Sequence, residues 1–414
     1  MKKKLRVIEL FAGIGAPRKA LMRGGYNFET VDVIEIDKYA VKSYNAIYGE
    51  NIETKDICSY KPDKEEIGEI DLLFHGSPCQ DFSLAGKQAG GDKDSGTRSS
   101  LMYETIRIVE ELKPKYVIWE NVKNLLSKKH RHNFDTYLET MTQLGYMNYY
   151  QVLNAKDYGI PQNRERVFTV SIRSDIDTGF TFPEKQELKL KLKDMLEENV
   201  DEKYYLSEKM IKYITADNEK WAGNNDKSLI NKTVASAINT GEGSRRCDAS
   251  NYISNSINDN FNLKEVVRKY GVFDTDKSKH QAGSVYDSNG ISPTLDTMQG
   301  GYRQPCIEIK NNTKKGYLEA HEGDGVYTNV STKRGTVQKE MIQTLTTFQD
   351  KGVVMNDLRI RKLTPKEYWR LMGFDDEDFE KASQVNSNTQ LYKQAGNSIC
   401  VPVLIAILNN ILNN

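Results

Sequence analysis

The chain has 414 residues, enough for two or three domains that each bury a core. Its 38% apolar and 28% charged content is that of an ordinary soluble globular protein, and no apolar run is expected to reach bilayer-spanning length. Fifty-eight Lys and Arg balance 58 Asp and Glu, so any contact with nucleic acid has to come from local basic clusters rather than from net charge. Such clusters occur at Lys128-Lys129-His130-Arg131-His132, at Arg164 with Arg166, at Arg245-Arg246, and at Arg359, Arg361 and Lys362; each taken singly reads equally as solvated surface. The start, Met1 to Glu9, lacks the long apolar stretch of a signal peptide, so a cytoplasmic location is expected. Five scattered cysteines, Cys58, Cys79, Cys247, Cys306 and Cys400, form no Cys-x-x-Cys pair and argue against both a disulfide framework and a metal site.

Residues 5 to 172 alternate strand and helix. Leu5–Leu10 predicts a short apolar strand, followed by a glycine turn and a helix through Leu21. Val31–Ile36 predicts the next strand and Lys38–Tyr48 a helix. Asp71–Phe74 and Tyr116–Trp119 predict strands with little polar alternation, as in a parallel sheet covered on both faces, with a helix near Leu101–Leu112 between them. Arg166–Ile172 predicts a later strand. The repetition predicts an α/β fold with a doubly wound, mostly parallel sheet. From about Gly179 the pattern changes: a helical stretch at Lys189–Glu198 gives way, between roughly Trp221 and Lys351, to Gly-, Asn-, Ser- and Thr-rich sequence with short β-prone pieces. A weak repeat lies there. Val285-Tyr286 precedes Pro293-Thr294-Leu295-Asp296-Thr297, as Val326-Tyr327 precedes Gln343-Thr344-Leu345-Thr346-Thr347. Apolar helix character returns between Tyr392 and Leu412.

The chemistry-bearing residues sit where the strands end. The first strand runs into Phe11-Ala12-Gly13-Ile14-Gly15, whose glycines let backbone approach a ligand closely, and the second ends in Glu35-Ile36-Asp37, where a carboxylate can accept bonds from ribose hydroxyls. That pair suits any nucleoside cofactor. The missing third glycine, replaced by Ala16-Pro17, weighs against a dinucleotide and favours a cofactor without phosphates. Gly76-Ser77-Pro78-Cys79-Gln80-Asp81-Phe82-Ser83 follows the strand Asp71–Phe74 and is followed by Gly86, Gly90, Gly91 and Gly96. A cysteine is more often a buried structural residue, but this one stands at the carboxyl end of a central strand, where α/β enzymes place their chemistry. Trp119-Glu120-Asn121-Val122 ends the next strand. A nucleophilic thiol with a carboxylic acid nearby suits addition to an electron-poor ring, the acid supplying a proton to a ring nitrogen. Gln162-Asn163-Arg164-Glu165-Arg166 places two arginines on one side of a strand by the two-residue period, or else forms surface ion pairs.

In this order the pieces resemble the cytosine-5 DNA methyltransferase family, bacterial and phage branch, through nearly the whole chain outside the polar region. The match assigns Phe11, Ala12, Gly13 and Gly15 to the cofactor loop, Glu35 to the ribose, and Ile36, Asp56 and Ile57 to the adenine. It assigns Pro78-Cys79-Gln80 to the nucleophile motif, with Cys79 attacking the base. Glu120, Arg164 and Arg166 complete the cytosine pocket, and Asn397 and Ser398, within Gln394-Ala395-Gly396-Asn397-Ser398, return to the cofactor site. Gln80, Ser83, Arg98 and Thr294 are implied DNA contacts, Thr294 on a phosphate. Arg361–Glu367 with Arg370–Phe374 matches the motif that supports the recognition domain. Ile36 stands where many members carry an aromatic residue, and Ala16 replaces a frequent glycine.

The resemblance implies an S-adenosylmethionine-dependent methyltransferase fold with a smaller, β-rich target-recognition domain. The expected divisions are a catalytic, cofactor-binding domain at 1–178, a target-recognition domain at 179–385 and a returning segment at 386–414. S-adenosylmethionine is the implied cofactor, leaving as S-adenosylhomocysteine; double-stranded DNA is the implied partner, bound by a monomer that can serve beside a cognate restriction endonuclease, with no membrane and no metal. One branch carrying the same Pro-Cys-Gln motif methylates transfer RNA, and the long polar region favours DNA over it. A DNA-binding protein without catalysis is disfavoured by intact Cys79, Glu120, Arg164 and Arg166.

Overall fold

The structure, a computed structural model, describes residues 4–78, 101–206, 317–327, 336–347, 351–355 and 360–413, with the backbone of 268–271, 284–286 and 307–310. The chain divides into two compact units, one of Met1–Leu190, Thr344–Phe348 and Pro365–Asn414, the other of Lys191–Gln343 and Gln349–Thr364.

In the first unit, β1 (Leu5–Leu10) leads through the turn 11–15 into α1 (Ala16–Arg23), then β2 (Phe28–Ile34) and α2 (Lys38–Tyr48). The turn is made by glycine: Gly13 and Gly15 have φ of 57° and 77°, a left-handed conformation that β-carbons disfavour. Pro17 sits in the first turn of α1, where its missing N–H leaves nothing unpaired. Asp37 caps α2 by accepting from the Tyr39 amide at 2.9 Å, and Gly49, in the left-handed region, ends it. β3 (Leu72–His75), α3 (Met102–Leu112), β4 (Tyr116–Val122), α4 (Arg131–Gln143), β5 (Tyr146–Asn154) and β6 (Glu165–Arg173) follow.

The six strands form one sheet in the order β2-β1-β3-β4-β6-β5. The chain steps from β1 outward to β2, then returns past β1 to β3 and β4, so the direction of winding reverses between β1 and β3. In an open α/β sheet that reversal opens a crevice at the carboxyl ends of the strands. Strand β6 runs antiparallel to both β4 and β5, against the parallel majority. Its amino end therefore lies beside the carboxyl end of β4, with Arg166 opposite Val122. Covered on both faces, the central strands bury consecutive residues, including Val7, Ile8, Leu72, Leu73, Phe74, Val117, Ile118 and Trp119. His75 is neutral inside this core, burial pushing its imidazolium down to about 3; it stacks on Trp119 at 5.3 Å and its Nε2 lies 3.1 Å from the Tyr137 hydroxyl.

Four helices close the first unit: α5 (Pro365–Arg370), α6 (Asp376–Ser383), α7 (Asn388–Asn397) and α8 (Val401–Leu412). Residues 365–385 thus pack with the sheet-bearing unit, whereas the sequence divisions were at 178/179 and 385/386. The physical reason is visible: Lys19 pairs with Asp378 at 2.7 Å and Asp375 at 2.6 Å, Arg23 donates to the Gly373 carbonyl, and Trp369 Nε1 donates to the Leu391 carbonyl. The stretch Asn388–Leu412 is by length and composition apolar enough to cross a membrane, which corrects the sequence reading; it is two helices broken at Ser398–Cys400, and α8 buries Val401, Val403, Leu404, Ile407 and Leu408.

In the second unit, antiparallel strands Val337–Gln338, Gly325–Tyr327, Lys351–Val354 and Ile360–Lys362 form a sheet in that order, and Ile307–Lys310 pairs with Tyr317–Ala320. Leu206, Ile309, Ala320, Val326, Val354 and Ile360 form its core. The helix expected over Lys189–Glu198 is only a 3-10 turn, Leu192–Met195, because only Leu192 and Met195 are buried and the Leu192 amide donates instead to the Glu340 carbonyl. Ser284–Tyr286 and Gly325–Tyr327 are both strands, as the repeat predicted, while 293–297 lie outside the described residues.

One buried carboxyl makes stability depend on pH. Glu9 is fully buried in β1; its Oε1 accepts from the Tyr44 hydroxyl at 3.0 Å, and burial pushes its carboxyl up to about 7 against the opposing pull of Tyr44 and Arg18. The folded value exceeds the unfolded one, so stability is fully present below about 4.5 and falls as pH rises through 7. Glu9→Gln, which cannot ionise, is expected to gain about 2–3 kcal/mol on wild type between pH 5 and pH 8, read by urea unfolding at both pH values. An unchanged difference between the two proteins across that range would rule out a titrating Glu9.

Candidate active site

The carboxyl ends of β1, β2, β3 and β4 carry several of the residues singled out in the sequence. At the end of β1, Phe11 is itself left-handed (φ 53°) and Ala12 is buried with its amide on the Ile34 carbonyl. The Gly13 amide donates to Glu35 Oε2 at 2.8 Å, and the Asp37 amide donates to Oε1 at 2.8 Å, so the carboxylate of Glu35 ties the ends of β1 and β2 together. Burial raises the Glu35 carboxyl, partly offset by these backbone bonds. Ile36, next along, is 67% exposed, an apolar side chain largely open to solvent. Ile57 is buried and joins the core, and Asp56 is exposed, its Oδ1 accepting the Cys58 amide at 3.0 Å.

Beyond β3, Ser77 is held from β4 on two sides. Trp119 Nε1 donates to Ser77 Oγ at 3.1 Å, and Asn121 Nδ2 donates to the Ser77 carbonyl at 3.3 Å. Of the nucleophile motif only Pro78 is described; Cys79, Gln80, Ser83 and Arg98 lie outside the described residues, as does Thr294. Glu120 lies near the end of β4 with its side chain 12% exposed, and Arg166 Nε approaches its Oε1 at 3.1 Å. Burial raises the Glu120 carboxyl; Arg166, then Arg164, pull it back, and the balance stays raised. A carboxylic acid held above its usual range while facing guanidinium groups can hold a proton and give it to a partner.

Arg164 is buried, and its guanidinium is committed to backbone: Nη1 donates to the Leu345 carbonyl at 3.2 Å, and Nη2 to the carbonyls of Gly396 at 3.1 Å and Ser398 at 2.7 Å. It therefore positions the last motif against the sheet rather than presenting its fork to the crevice. Gly396 is needed for that approach, because a β-carbon there would stand 2.3 Å from the Thr346 carbonyl oxygen. Asn397 is exposed and Ser398 buried at the end of α7. Thr344 donates its hydroxyl to the Asn163 carbonyl at 2.9 Å, so that hydroxyl is engaged within the protein.

Of the described cysteines, Cys58 is exposed and Cys400 is buried near Arg164 and Glu120. Burial pushes the Cys400 thiol up to about 12, so it is not a thiolate at neutral pH. Sequence reasoning passed over Trp119 as an anchor for Ser77 and Lys393, whose Nζ pairs with Asp37 Oδ2 at 2.7 Å across from the Glu35 turn. Neither stands in a pattern that spacing alone would reveal.

A family model for C-5 cytosine-specific DNA methylase matches residues 5–413. The chain is 35% identical to the orphan methyltransferase M.Rho11sI of Bacillus phage rho11s, over 99% of this chain and 98% of that protein. It is 31% identical to the type II methyltransferase M2.ScrFI of Lactococcus lactis subsp. cremoris, over 99% of each. Among solved structures, the Entamoeba histolytica methyltransferase EhMeth superposes with a TM-score of 0.57 at 16% identity, over 100% of this chain and 99% of that one, a likeness of fold. The chain belongs to the C-5 cytosine-specific DNA methylase family.

Proposed function

We propose that this protein rotates a target cytosine out of duplex DNA and methylates its carbon 5 through a covalent bond to Cys79. The observation that carries the reading is the placement of Glu120, its side chain 12% exposed beside Arg166 near the end of β4, between Trp119 and Asn121, which hold Ser77 two residues before Cys79. Extrahelical presentation is required because the reacting atoms are stacked and paired in the duplex, at a cost of a few kcal/mol.

The residues at the end of β1 and β2 fit S-adenosylmethionine. A β-carbon built on Gly13 meets nothing within 4 Å, so the loop faces open space, and Glu35 keeps lone pairs for ribose hydroxyls beyond the two amides it already accepts. The exposed Ile36 supplies an apolar face for a purine. When bound, S-adenosylmethionine supplies an electrophilic methyl group on a sulfonium.

The steps then belong to the chain's own groups. The Cys79 thiolate adds its electron pair to carbon 6 of the base, and the π pair of the 5,6 double bond is released toward carbon 5. Glu120 donates its proton to ring nitrogen 3 and accepts from the amino group, which holds the negative charge that develops. Carbon 5 takes the methyl group, leaving S-adenosylhomocysteine. Loss of the carbon 5 proton to a base returns the pair, breaks the sulfur–carbon bond and restores the thiolate, while nitrogen 3 returns its proton to Glu120. Arg166 orients Glu120, and Arg164 holds the last motif in place. The region from about 221 to 351 supplies the choice of DNA sequence, since the family motifs fall outside it.

DNA containing 5-fluorocytosine tests the covalent route, because fluorine cannot leave as a cation and elimination stalls after methyl transfer. The expected result is a stable protein–DNA adduct whose mass maps to the peptide carrying Cys79. An enzyme that methylates ordinary DNA yet forms no adduct would refute that route.

A further inference from the structure

Behind the loop 11–15 lies a cluster of side chains that the chemistry above does not use. Tyr44 and Tyr48 stand one turn apart on α2, and both rings lie against Gly15. A β-carbon on Gly15 would stand 2.6 Å from Tyr48 Cε2 and 2.7 Å from Tyr44 Cε2, so only glycine fits between the rings and the loop. The Tyr48 hydroxyl donates to the Gly15 carbonyl at 2.7 Å and lies 3.3 Å from that of Ile14. Arg18 sits over the Tyr48 ring, 4.7 Å from its centroid, and is held there by Glu50 at 2.6 Å. Tyr44 takes no part in the loop's hydrogen bonds; its hydroxyl donates to Glu9.

The same helix holds the loop at two places. At the amino end of α2, the Asp37 amide and the Gly13 amide share the Glu35 carboxylate. At its carboxyl end, Tyr48 holds the carbonyls of residues 14 and 15. Between these two ties lie Gly13 and Gly15, both left-handed and neither restrained by a side chain of its own. Peptide planarity means that a fixed carbonyl fixes the whole amide plane. The backbone already ties Gly15, whose amide donates to the Ala12 carbonyl and whose carbonyl accepts the Lys19 amide, both at 2.9 Å. The Tyr48 hydroxyl adds a side-chain restraint on that carbonyl and on Ile14, and whatever freedom is left there without it has to be ordered when ligand binds, which weakens binding.

We infer that Tyr48 is a positioning residue for cofactor binding, its hydroxyl fixing the Ile14–Gly15 backbone so that the Gly13 turn and Glu35 meet the nucleoside in one geometry. The inference rests on the reading of this loop as the S-adenosylmethionine site. The competing view is that the Tyr48 ring only fills space under Gly15.

Tyr48→Phe separates the two, because it removes the hydroxyl and keeps the ring. Calorimetric titration of the full-length protein with S-adenosylhomocysteine is expected to show about three- to tenfold weaker binding for the variant, the size of effect of one lost hydrogen bond. The cofactor KM rises by the same factor and kcat changes less. Tyr48→Leu, which also removes the ring, lowers the melting temperature as well as the affinity, whereas Tyr48→Phe lowers the affinity with little change in melting. Wild-type affinity in Tyr48→Phe, or a loss of affinity that only tracks a loss of melting temperature, would overturn the inference. Failure of the wild-type protein to bind S-adenosylhomocysteine would overturn the cofactor reading itself, and this inference with it.

Discussion

Replacing Cys79 by Ser is expected to abolish methyl transfer, lowering the rate by at least about 10⁴-fold, as removal of a covalent nucleophile does in other enzymes. The hydroxyl is nearly isosteric with the thiol but is far less ionised at neutral pH and is a poorer nucleophile. Cys400 cannot take over, since burial pushes its thiol up to about 12, and Cys58 lies on the exposed turn that follows Asp56. The variant is expected to keep wild-type affinity for S-adenosylhomocysteine, because the loop at the end of β1 and the Glu35 turn are built without Cys79. Radiolabelled methyl transfer checks the first expectation and calorimetry the second. Substantial turnover by Cys79→Ser would rule out this cysteine as the nucleophile.

Glu120→Gln is expected to lower kcat by about 10²- to 10⁴-fold with a smaller effect on DNA affinity. The amide keeps the size of the side chain and one donor, but it cannot deliver a proton to ring nitrogen 3. In the wild type, burial raises the carboxyl and Arg166 only partly restores it, so the group is tuned toward holding its proton. The wild-type rate should accordingly fall as pH rises through the Glu120 carboxyl's raised value, and that limb should vanish in Glu120→Gln. Single-turnover rates across a pH series measure both. Equal rates for the two proteins, or the same limb in both, would remove Glu120 from the proton-transfer step.

How much of this could be read in advance depended on burial. The strands β1, β3 and β4 were legible because a sheet covered on both faces writes itself as short apolar runs, and their carboxyl ends mark the crevice. The glycine loop 11–15, Glu35 and Glu120 were singled out by their place at strand ends. Strand β5 and helix α4 were not. Tyr146–Asn154 is an edge strand with Met147 48% and Tyr150 41% exposed, so its sequence alternates poorly, and α4 begins inside the basic cluster 130–132 that reads as surface. The antiparallel direction of β6 could not be read, because pairing direction is set by tertiary contacts and leaves no periodic mark. Yet that direction brings Arg166 to Glu120. The two-residue period implied two arginines on one side of a strand, but Arg164 precedes β6, and nothing local distinguished Arg166 on Glu120 from Arg164 on three carbonyls.

The most direct test of the central claim is bisulfite sequencing of genomic DNA from a host without cytosine methylation of its own, expressing this chain. Unmethylated cytosine is deaminated by bisulfite and methylated cytosine is protected, so one experiment reports both the product and its sequence context. The account predicts protected cytosines confined to one or a few recurring short sequences, present with the wild-type protein and missing with Cys79→Ser. Genomic DNA with no protected cytosines, or protection that persists undiminished in Cys79→Ser, would contradict it.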